Sequence, residues 1–477
     1  MRAAVVLVAA SLALAALTLL APSSPSYDPF AWIVWGRELM PGAGGEPFGL
    51  AGGPSWKPLP VLFTTPFALA DDAAPQLWLL VARAGLLLAL AGAFALARRL
   101  AGVPAGLVAA LAMLLLAGLV SLAWRGGSEP LLLAAVLWAC ERHLAGRRSA
   151  AFALGVVAAL IRPELTPFLG VYALWCWRGA GARERAILIA GLALVPLLWI
   201  GVPALAGDPF AASSTARAAS TRTSAGSALQ GDLGLALAAV WALALAAVAL
   251  RPDQPAVRGL ALGALAWLGL LGAMAAAGYA SPARYGLPAA ACACVLAGVA
   301  VPALIERVRA RAHTSARGGA AWIAGGLALA ALLAIPAGPR LAQLDDQVRQ
   351  GIAVARAHDE LRTAIARAGG AARLRRCALG GWVAVNHTTQ SALAWELEAP
   401  LDRVARAMSR PGLLVRAARS TATGAPPAVV LPRPLRVERR ARSGRWDVLA
   451  VRSAGTPLPP ACGARKASGR ARRIPNI

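Results

Sequence analysis

The strongest constraint on this chain is a series of apolar stretches, each close to helical membrane-crossing length, that recurs through residues 1–340. A hydrocarbon core roughly 30 Å thick is crossed by about 20 helical residues, so stretches of this length can span a bilayer. In lipid every backbone N–H and C=O must be satisfied within its own segment, and for continuous apolar runs that means α-helix. Only 15% of the 477 residues are charged and 58% are apolar, too little polar surface to coat a soluble domain of this size. The predicted class is an all-α polytopic membrane protein.

The formal charge of +26 does not indicate a nucleic-acid partner, because the basic residues punctuate the apolar runs and the only lysines are Lys57 and Lys466. Contact with anionic lipid accounts for that distribution. The arginines also set direction. Arg98-Arg99, Arg142 with Arg147-Arg148, Arg178 to Arg185, Arg251 to Arg258 and Glu306 to Arg317 fall at alternate turns, which the positive-inside rule assigns to the cytoplasm. The apolar run after Met1-Arg2 is read as an uncleaved first span, residues 1–22, and further spans are expected at 75–97, 103–123, 130–144, 186–206, 233–250, 258–279, 286–305 and 320–338. Between Arg148 and Arg178 the chain has to leave and return, and Arg162-Pro163-Glu164 lies midway. Two short passes meeting at an outer turn fit better than one helix, because Pro163 would break it and leave two charges in lipid. The total is about 11 transmembrane helices, and an odd count puts the C-terminus outside.

Residues 1–339 form the expected membrane domain, with a first outer loop at 22–75 and a mobile, Ser/Thr/Ala/Gly-rich outer loop at 207–232. Residues 340–477 are expected to form a small extracytoplasmic α/β domain. It opens with a helix whose apolar positions Leu341, Leu344, Val348, Ile352 and Ala355 repeat at three and four. Strand-like runs follow at Ala378–Val385, Ala428–Leu431 and Trp446–Val451, with a helical Gln390–Glu398 among them. Cys377 and Cys462 lie in this region and are candidates for a disulfide, whereas Cys140, Cys176, Cys292 and Cys294 sit in apolar runs as small buried hydrophobes.

Charges at span ends carry the functional information, since each costs energy unless it is paired, solvated or used. Asp28 precedes Pro29 and an aromatic amphipathic stretch, as a helix cap or as an acid–base group. Ser55-Trp56-Lys57-Pro58 returns to the membrane, with Lys57 either snorkelling to the interface or binding an anion. Ser128-Glu129-Pro130 opens the fourth span, where Ser128 suits an N-cap and Glu129 the first turn. Arg162 and Glu164 need partners or water. Arg284-Tyr285 pairs a guanidinium with a phenol, a combination suited to phosphate or a sugar face, or to interfacial anchoring.

As an ordered set, Asp28, Ser55-Trp56-Lys57-Pro58, Ser128-Glu129-Pro130, Ile161-Arg162-Pro163-Glu164, Arg284-Tyr285 and the polar tail resemble bacterial integral-membrane glycosyltransferases of the GT-C fold, of the mannosyltransferase or arabinosyltransferase kind. The resemblance covers most of the chain. It implies a polyprenyl-phosphate-linked sugar donor, an active site on the outer face of the cytoplasmic membrane, and inversion at the anomeric carbon in cell-envelope glycan or glycolipid assembly. Asp28 is then the general base, and Arg162, Arg284, Lys57 and Tyr285 bind the donor phosphate. Glu129 and Glu164 orient the acceptor or the arginines. The acceptor is a glycan, a lipid or a protein. Some relatives use a divalent metal, Mg or Mn, which Asp28 and Glu129 could share, although no ligand spacing here demands one. The first loop departs from many relatives in carrying one acidic residue in place of an adjacent pair. Asp71-Asp72 lies too near the second span to substitute readily, and Asp208 in the second Asp-Pro-Phe tripeptide is a rival for the acidic role.

Two other classes fit an apolar many-span chain. A transporter or flippase of a lipid-linked or small solute is disfavoured by the absence of an evident internal repeat and by charges at span ends and not the midplane. A non-catalytic envelope-complex subunit is opposed only by Asp28 and the arginines. A cytoplasmic nucleotide-dependent reaction is disfavoured by short basic inner turns without a Gly-rich phosphate loop.

Overall fold

The computed structural model describes residues 2–40, 48–50, 52–219, 224–312, 337–417, 435–453 and 457–462. Its helices run α1 (Arg2–Thr18), α2 (Tyr27–Leu39), α3 (Pro58–Phe67), α4 (Ala74–Leu114), α5 (Leu119–Trp124), α6 (Glu129–Leu144), α7 (Arg148–Ala159), α8 (Thr166–Trp177) and α9 (Ala182–Pro196). They continue through α10 (Val202–Leu205), α11 (Ala211–Ala218), α12 (Ala225–Leu233), α13 (Ala238–Leu250), α14 (Pro255–Ala276) and α15 (Leu287–Ala312). The tail contributes α16 (Ala337–Arg367), α17 (Ala371–Gly380) and α18 (Gln390–Glu396).

Among the described residues, four helical segments are long and apolar enough to cross a membrane: Pro58–Leu114, Ala182–Leu205, Pro255–Ala276 and Ala283–Arg309. A fifth arises if Ala225–Leu233 and Ala238–Leu250, bent by 90°, count as one span. The first of these segments is itself folded back. Ala101 and Gly102 leave helical geometry, with Gly102 at φ 84°, and a Cβ on Gly106 would lie 2.8 Å from the Phe94 carbonyl oxygen. The chain therefore reverses between the spans expected at 75–97 and 103–123, and Gly102 supplies the left-handed φ that the reversal needs. Residues 148–177 likewise form two 12-residue helices joined by a 3₁₀ turn at Pro163–Leu165. A Cβ on Gly155 would meet Leu169 at 2.9 Å, so α7 and α8 fold against each other. Most of the span expected at 320–338, and the run at Ala428–Leu431, lie outside the described residues.

The chain divides into two compact units. The first comprises residues 1–18, 80–200 and 213–348. Its core is a cluster of small and branched residues centred on α15, where Leu287, Ala289, Ala290, Cys294, Val295 and Val299 are fully buried. A Cβ on Gly298 would land on the Ala105 carbonyl, so this glycine lets α15 approach the second arm of α4 backbone to backbone. The outward faces are apolar too: Leu174 is 74% exposed, Leu245 72% and Leu262 65%. Water would penalise such faces, whereas lipid accommodates them, as an integral membrane protein requires.

The ion pairs of this unit collect the turns into two sets. Arg99 lies 2.6 Å from Glu141, Arg142 pairs with the same carboxylate, and Arg251 lies 2.6 Å from Glu306. All of these belong to turns assigned to one side by the arginine count. Turns from the other set hold Glu129, Arg162 and Arg284 together. Cys176, Cys292 and Cys294 are buried as expected, while Cys140 is only half-buried.

The second unit comprises residues 19–79, 201–212 and 349–477, so the first loop groups with the tail. Five strands form a mixed sheet in the order β2-β1-β3-β5-β4: β1 (Val383–Val385), β2 (Val404–Ala405), β3 (Gly412–Ala417), β4 (Leu435–Ser443) and β5 (Trp446–Ser453). β1 pairs in parallel with β2 and β3, while β5 is antiparallel to β3 and β4. Of the run expected as strand at Ala378–Val385, only Val383–Val385 is extended, since Ala378 to Gly380 finish α17. The expected α16 is present, but its buried face lies later than the apolar repeat suggested. Leu341 is 55% exposed, whereas Ala355, Leu361, Ala364 and Ile365 are buried. Cys377 and Cys462 are joined in a disulfide, with their Cα atoms 4.5 Å apart.

Candidate functional site

In the first unit the charges left between apolar runs converge. Glu129 begins α6, in the first turn as expected, and is 3% exposed. Ser128 occupies the N-cap position, but its side chain makes no capping hydrogen bond, which corrects its expected role. Pro130 at the second helical position suits the start of α6, where a missing N–H costs nothing. The Glu129 carboxylate lies 3.7 Å from Arg162 Nη2 and 3.4 Å from Arg284 Nε. Arg162 is 4% exposed and has its second carboxylate, Glu164, at 3.5 Å.

Beneath Arg162 lies the Tyr285 ring, its centroid 3.3 Å from the guanidinium carbon, so the cation stacks on a π face. Arg162 Nη2 nonetheless makes no hydrogen bond. A buried guanidinium donor that is charge-paired but not hydrogen-bonded has capacity left for an anionic acceptor. The Arg284 side chain faces the same carboxylate and is 41% exposed. The 3₁₀ turn that carries Arg284 and Tyr285 spans Ala283–Gly286 and is held from α14, where Trp267 Nε1 donates to the Tyr285 carbonyl at 2.9 Å.

In the second unit Asp28 lies one residue inside α2, whose N-cap is Ser26. The expected Asp28 cap is thereby corrected: its half-buried carboxylate stands in the first turn, where the helix dipole favours an anion. The tail fixes this turn. Ser391 Oγ donates to the Tyr27 carbonyl at 2.6 Å, and Arg406 donates to the Tyr27 hydroxyl and to Gln390 Oε1. His387 packs edge-on against Tyr27 with ring centroids 4.5 Å apart. Burial pushes the Tyr27 hydroxyl up to about 12, and burial together with the Arg406 charge lowers the His387 imidazole.

Lys57 does not snorkel, being 8% exposed as N-cap of α3 with Nζ 5.1 Å from the Trp32 ring centroid. Asp208 is exposed and accepts the Phe210 N–H at 3.3 Å, a local turn contact. Among the described residues no three His, Cys, Asp or Glu side chains group as metal ligands. Glu129 has two guanidiniums beside it, an environment that repels a divalent cation, so the residues present do not fit a metal and no step is derived through one.

Several residues of these clusters are not evident from span-end charges. Arg83 is a lone cation inside the second apolar run, and that isolation was the available signal. It is 4% exposed, donates to Thr18 Oγ1 at 2.9 Å and the Trp124 carbonyl at 3.2 Å, and stacks on the Trp124 ring. Tyr27, His387 and Arg406 offer no local pattern, and neither does Asp232, which is 1% exposed.

No family model matches the chain, and no curated protein sequence shows significant similarity to it. Among solved structures, ArnT from Cupriavidus metallidurans in the apo state is similar at a TM-score of 0.55 and 17% identity, over 97% of this chain and 99% of that one. ArnT bound to undecaprenyl phosphate gives 0.54 and 16%, over 98% and 100%. An Archaeoglobus fulgidus oligosaccharyltransferase tethered with an acceptor peptide gives 0.49 and 12%, over 83% of this chain and 63% of that one, too low to support an argument. At these identities the likeness concerns the fold: this integral membrane chain has the GT-C fold, with a small C-terminal sheet region.

Proposed function

We propose that the protein is a membrane glycosyltransferase that moves a sugar from a polyprenyl-phosphate donor to an acceptor hydroxyl, at the outer face of the cytoplasmic membrane and with inversion. The observation that carries this reading is the Arg162–Glu129–Arg284 cluster: a buried guanidinium nitrogen, Arg162 Nη2, without a hydrogen bond, beside a second arginine with a partly exposed side chain on the same carboxylate, within a GT-C fold. ArnT, which shares the fold, has been captured with undecaprenyl phosphate, and a lipid phosphate is the anion that suits two such forks.

In the proposed reaction Asp28 accepts the proton of the acceptor hydroxyl as that oxygen bonds to the anomeric carbon. The bond from the anomeric carbon to the phosphate oxygen breaks, and its electron pair leaves with the polyprenyl phosphate. Arg284 and Arg162 stabilise the charge developing there, Tyr285 backs Arg162, and Glu129 and Glu164 orient the guanidiniums. Lys57 is assigned to the donor phosphate by the family resemblance. The acceptor belongs to the cell envelope as a glycan, lipid or protein, and the donor sugar is a hexose or pentose, mannose or arabinose being the first to try.

The test is transfer from a panel of radiolabelled polyprenyl-phosphate sugars by the purified protein in liposomes, with crude envelope glycan as acceptor. Wild type is expected to consume one donor, while Asp28→Asn still binds it and turns over at least a thousandfold more slowly. Equal turnover by the variant would remove Asp28 as base. Movement of lipid or solute without sugar transfer would overturn the transferase reading.

A further inference from the structure

Five arginines gather on two neighbouring turns of the first unit: Arg147 and Arg148 where α7 begins, and Arg178, Arg183 and Arg185 where α8 passes into α9. All five are exposed, and among the described residues none has an ion pair or a side-chain hydrogen bond. Arg99, Arg142 and Arg251, on the same set of turns, are instead held by Glu141 or Glu306. The one acid on the two turns, Glu184, is committed to the start of α9, where it accepts the Gly181 N–H at 3.2 Å. Cations so gathered repel one another, and an anion placed among them relieves that repulsion.

A cavity of about 500 Å³ lies between these turns. Arg147, Arg148 and Glu184 line it on one side, while Cys176, Ile187 and Leu188 give it an apolar floor. Arg148 leans onto the facing turn: its guanidinium carbon is 4.6 Å from the Trp175 ring centroid, and a Cβ on Gly179 would lie 3.7 Å from its Nη1. Arg185 covers the Trp177 ring in the same way, at 5.3 Å. Both indoles are exposed beside the exposed apolar Val171 and Leu174, which is how tryptophans mark the border of the hydrocarbon core.

We infer that this cavity binds the headgroup of an anionic glycerophospholipid, with the phosphodiester against Arg147 and Arg148 and the glycerol and first acyl carbons on the apolar floor. A guanidinium fork matches phosphate oxygens, and anionic lipid attracts basic side chains at the membrane surface the positive-inside rule assigns to these turns. A soluble phosphate would use the arginines but gain nothing from Ile187, Leu188 or the flanking lipid-facing helices. The inference does not depend on the transferase reading, since Arg162 and Arg284 belong to the other set of turns.

The experiment is native mass spectrometry of the full-length protein in detergent, titrated with phosphatidylglycerol and separately with phosphatidylcholine. Wild type is expected to hold one phosphatidylglycerol at least tenfold more tightly than phosphatidylcholine. Two basic residues beside an anionic lipid amount to about a thirtyfold effect, so Arg147→Gln combined with Arg148→Gln should weaken phosphatidylglycerol at least tenfold. Arg147→Glu leaves Arg148 on Trp175 and should weaken it as much, which covers the case of a double variant that fails to fold. Arg258→Gln, at an exposed arginine on the same set of turns but outside the cavity, should stay within twofold of wild type. Unchanged binding in the cavity variants, equal affinity for the two lipids, or a loss in Arg258→Gln as large as at Arg147 would overturn the inference. Glycerol phosphate in millimolar excess should leave the lipid in place. Displacement at micromolar concentrations would assign the cavity to a soluble phosphate and overturn the lipid source.

Discussion

Replacing Arg162 by methionine removes the cation on which the buried charges of the first unit depend. Glu129, 3% exposed, and Glu164 would be left as carboxylates without the guanidinium at 3.7 and 3.5 Å. At an effective dielectric constant near 20, each contact corresponds to about 4 to 5 kcal/mol of Coulomb attraction before desolvation. Arg284 still faces Glu129, and part of the loss is recovered by proton uptake, so the net destabilisation should be about 3 to 5 kcal/mol, the range for breaking a buried pair from one side. The stacking contact on Tyr285 is lost as well. Glu129→Gln in the Arg162→Met background should restore part of the stability, because the stranded charge is then gone. A double-mutant cycle, measured by reversible SDS unfolding in mixed micelles with tryptophan fluorescence, should give a coupling of at least about 1 kcal/mol. Arg162→Met within about 0.5 kcal/mol of wild type, or strict additivity of the two changes, would refute the claim that Arg162 balances these carboxylates.

Two further predictions concern the second unit. Glu38 accepts N–H groups from Gly49 and Leu401 at 3.3 Å, and burial pushes its carboxyl up to about 7 from an ordinary 4.5. Unfolded chain releases this proton near pH 4.5 and folded chain near 7, so the stabilisation is complete below 4.5 and is lost as pH rises to about 7, by up to about 3 kcal/mol. Thermal midpoints should fall across that window, and Glu38→Gln should flatten the slope. The disulfide between Cys377 and Cys462 closes a sequence separation of 85 residues, for which chain entropy predicts about 4 to 5 kcal/mol. Cys377→Ser should lower the unfolding midpoint of the tail, and a reductant should lower that of wild type but not of the variant.

Local features carried well from sequence to structure, for a physical reason. Pro163 between two charges ends helices wherever it lies, so the break between α7 and α8 is visible in a few residues. A reversal at Gly102 likewise follows from a short interruption of an apolar run. The cap expected at Asp28 lies two residues earlier, at Ser26, and Ser128 holds its cap position without the expected side-chain bond, since capping depends on backbone angles that composition does not fix. The buried face of α16 moved because a three-and-four repeat gives a direction around the helix but not the length over which a neighbour covers it.

What the sequence alone determined is the solvent of this protein and the inventory of charges it must place. Apolar length requires helices in lipid, and every ionisable group at a span end then has to find a partner or a use. The tertiary structure alone decided which groups meet. Glu129 takes both Arg162 and Arg284, Tyr285 slides beneath Arg162, and Asp232 packs closely on Gly286, all through helices distant in sequence. Such pairings depend on how small residues let helix backbones approach, as Gly298 does against Ala105, and on which turns end at the same level. No window of sequence contains both partners, so packing had to choose them.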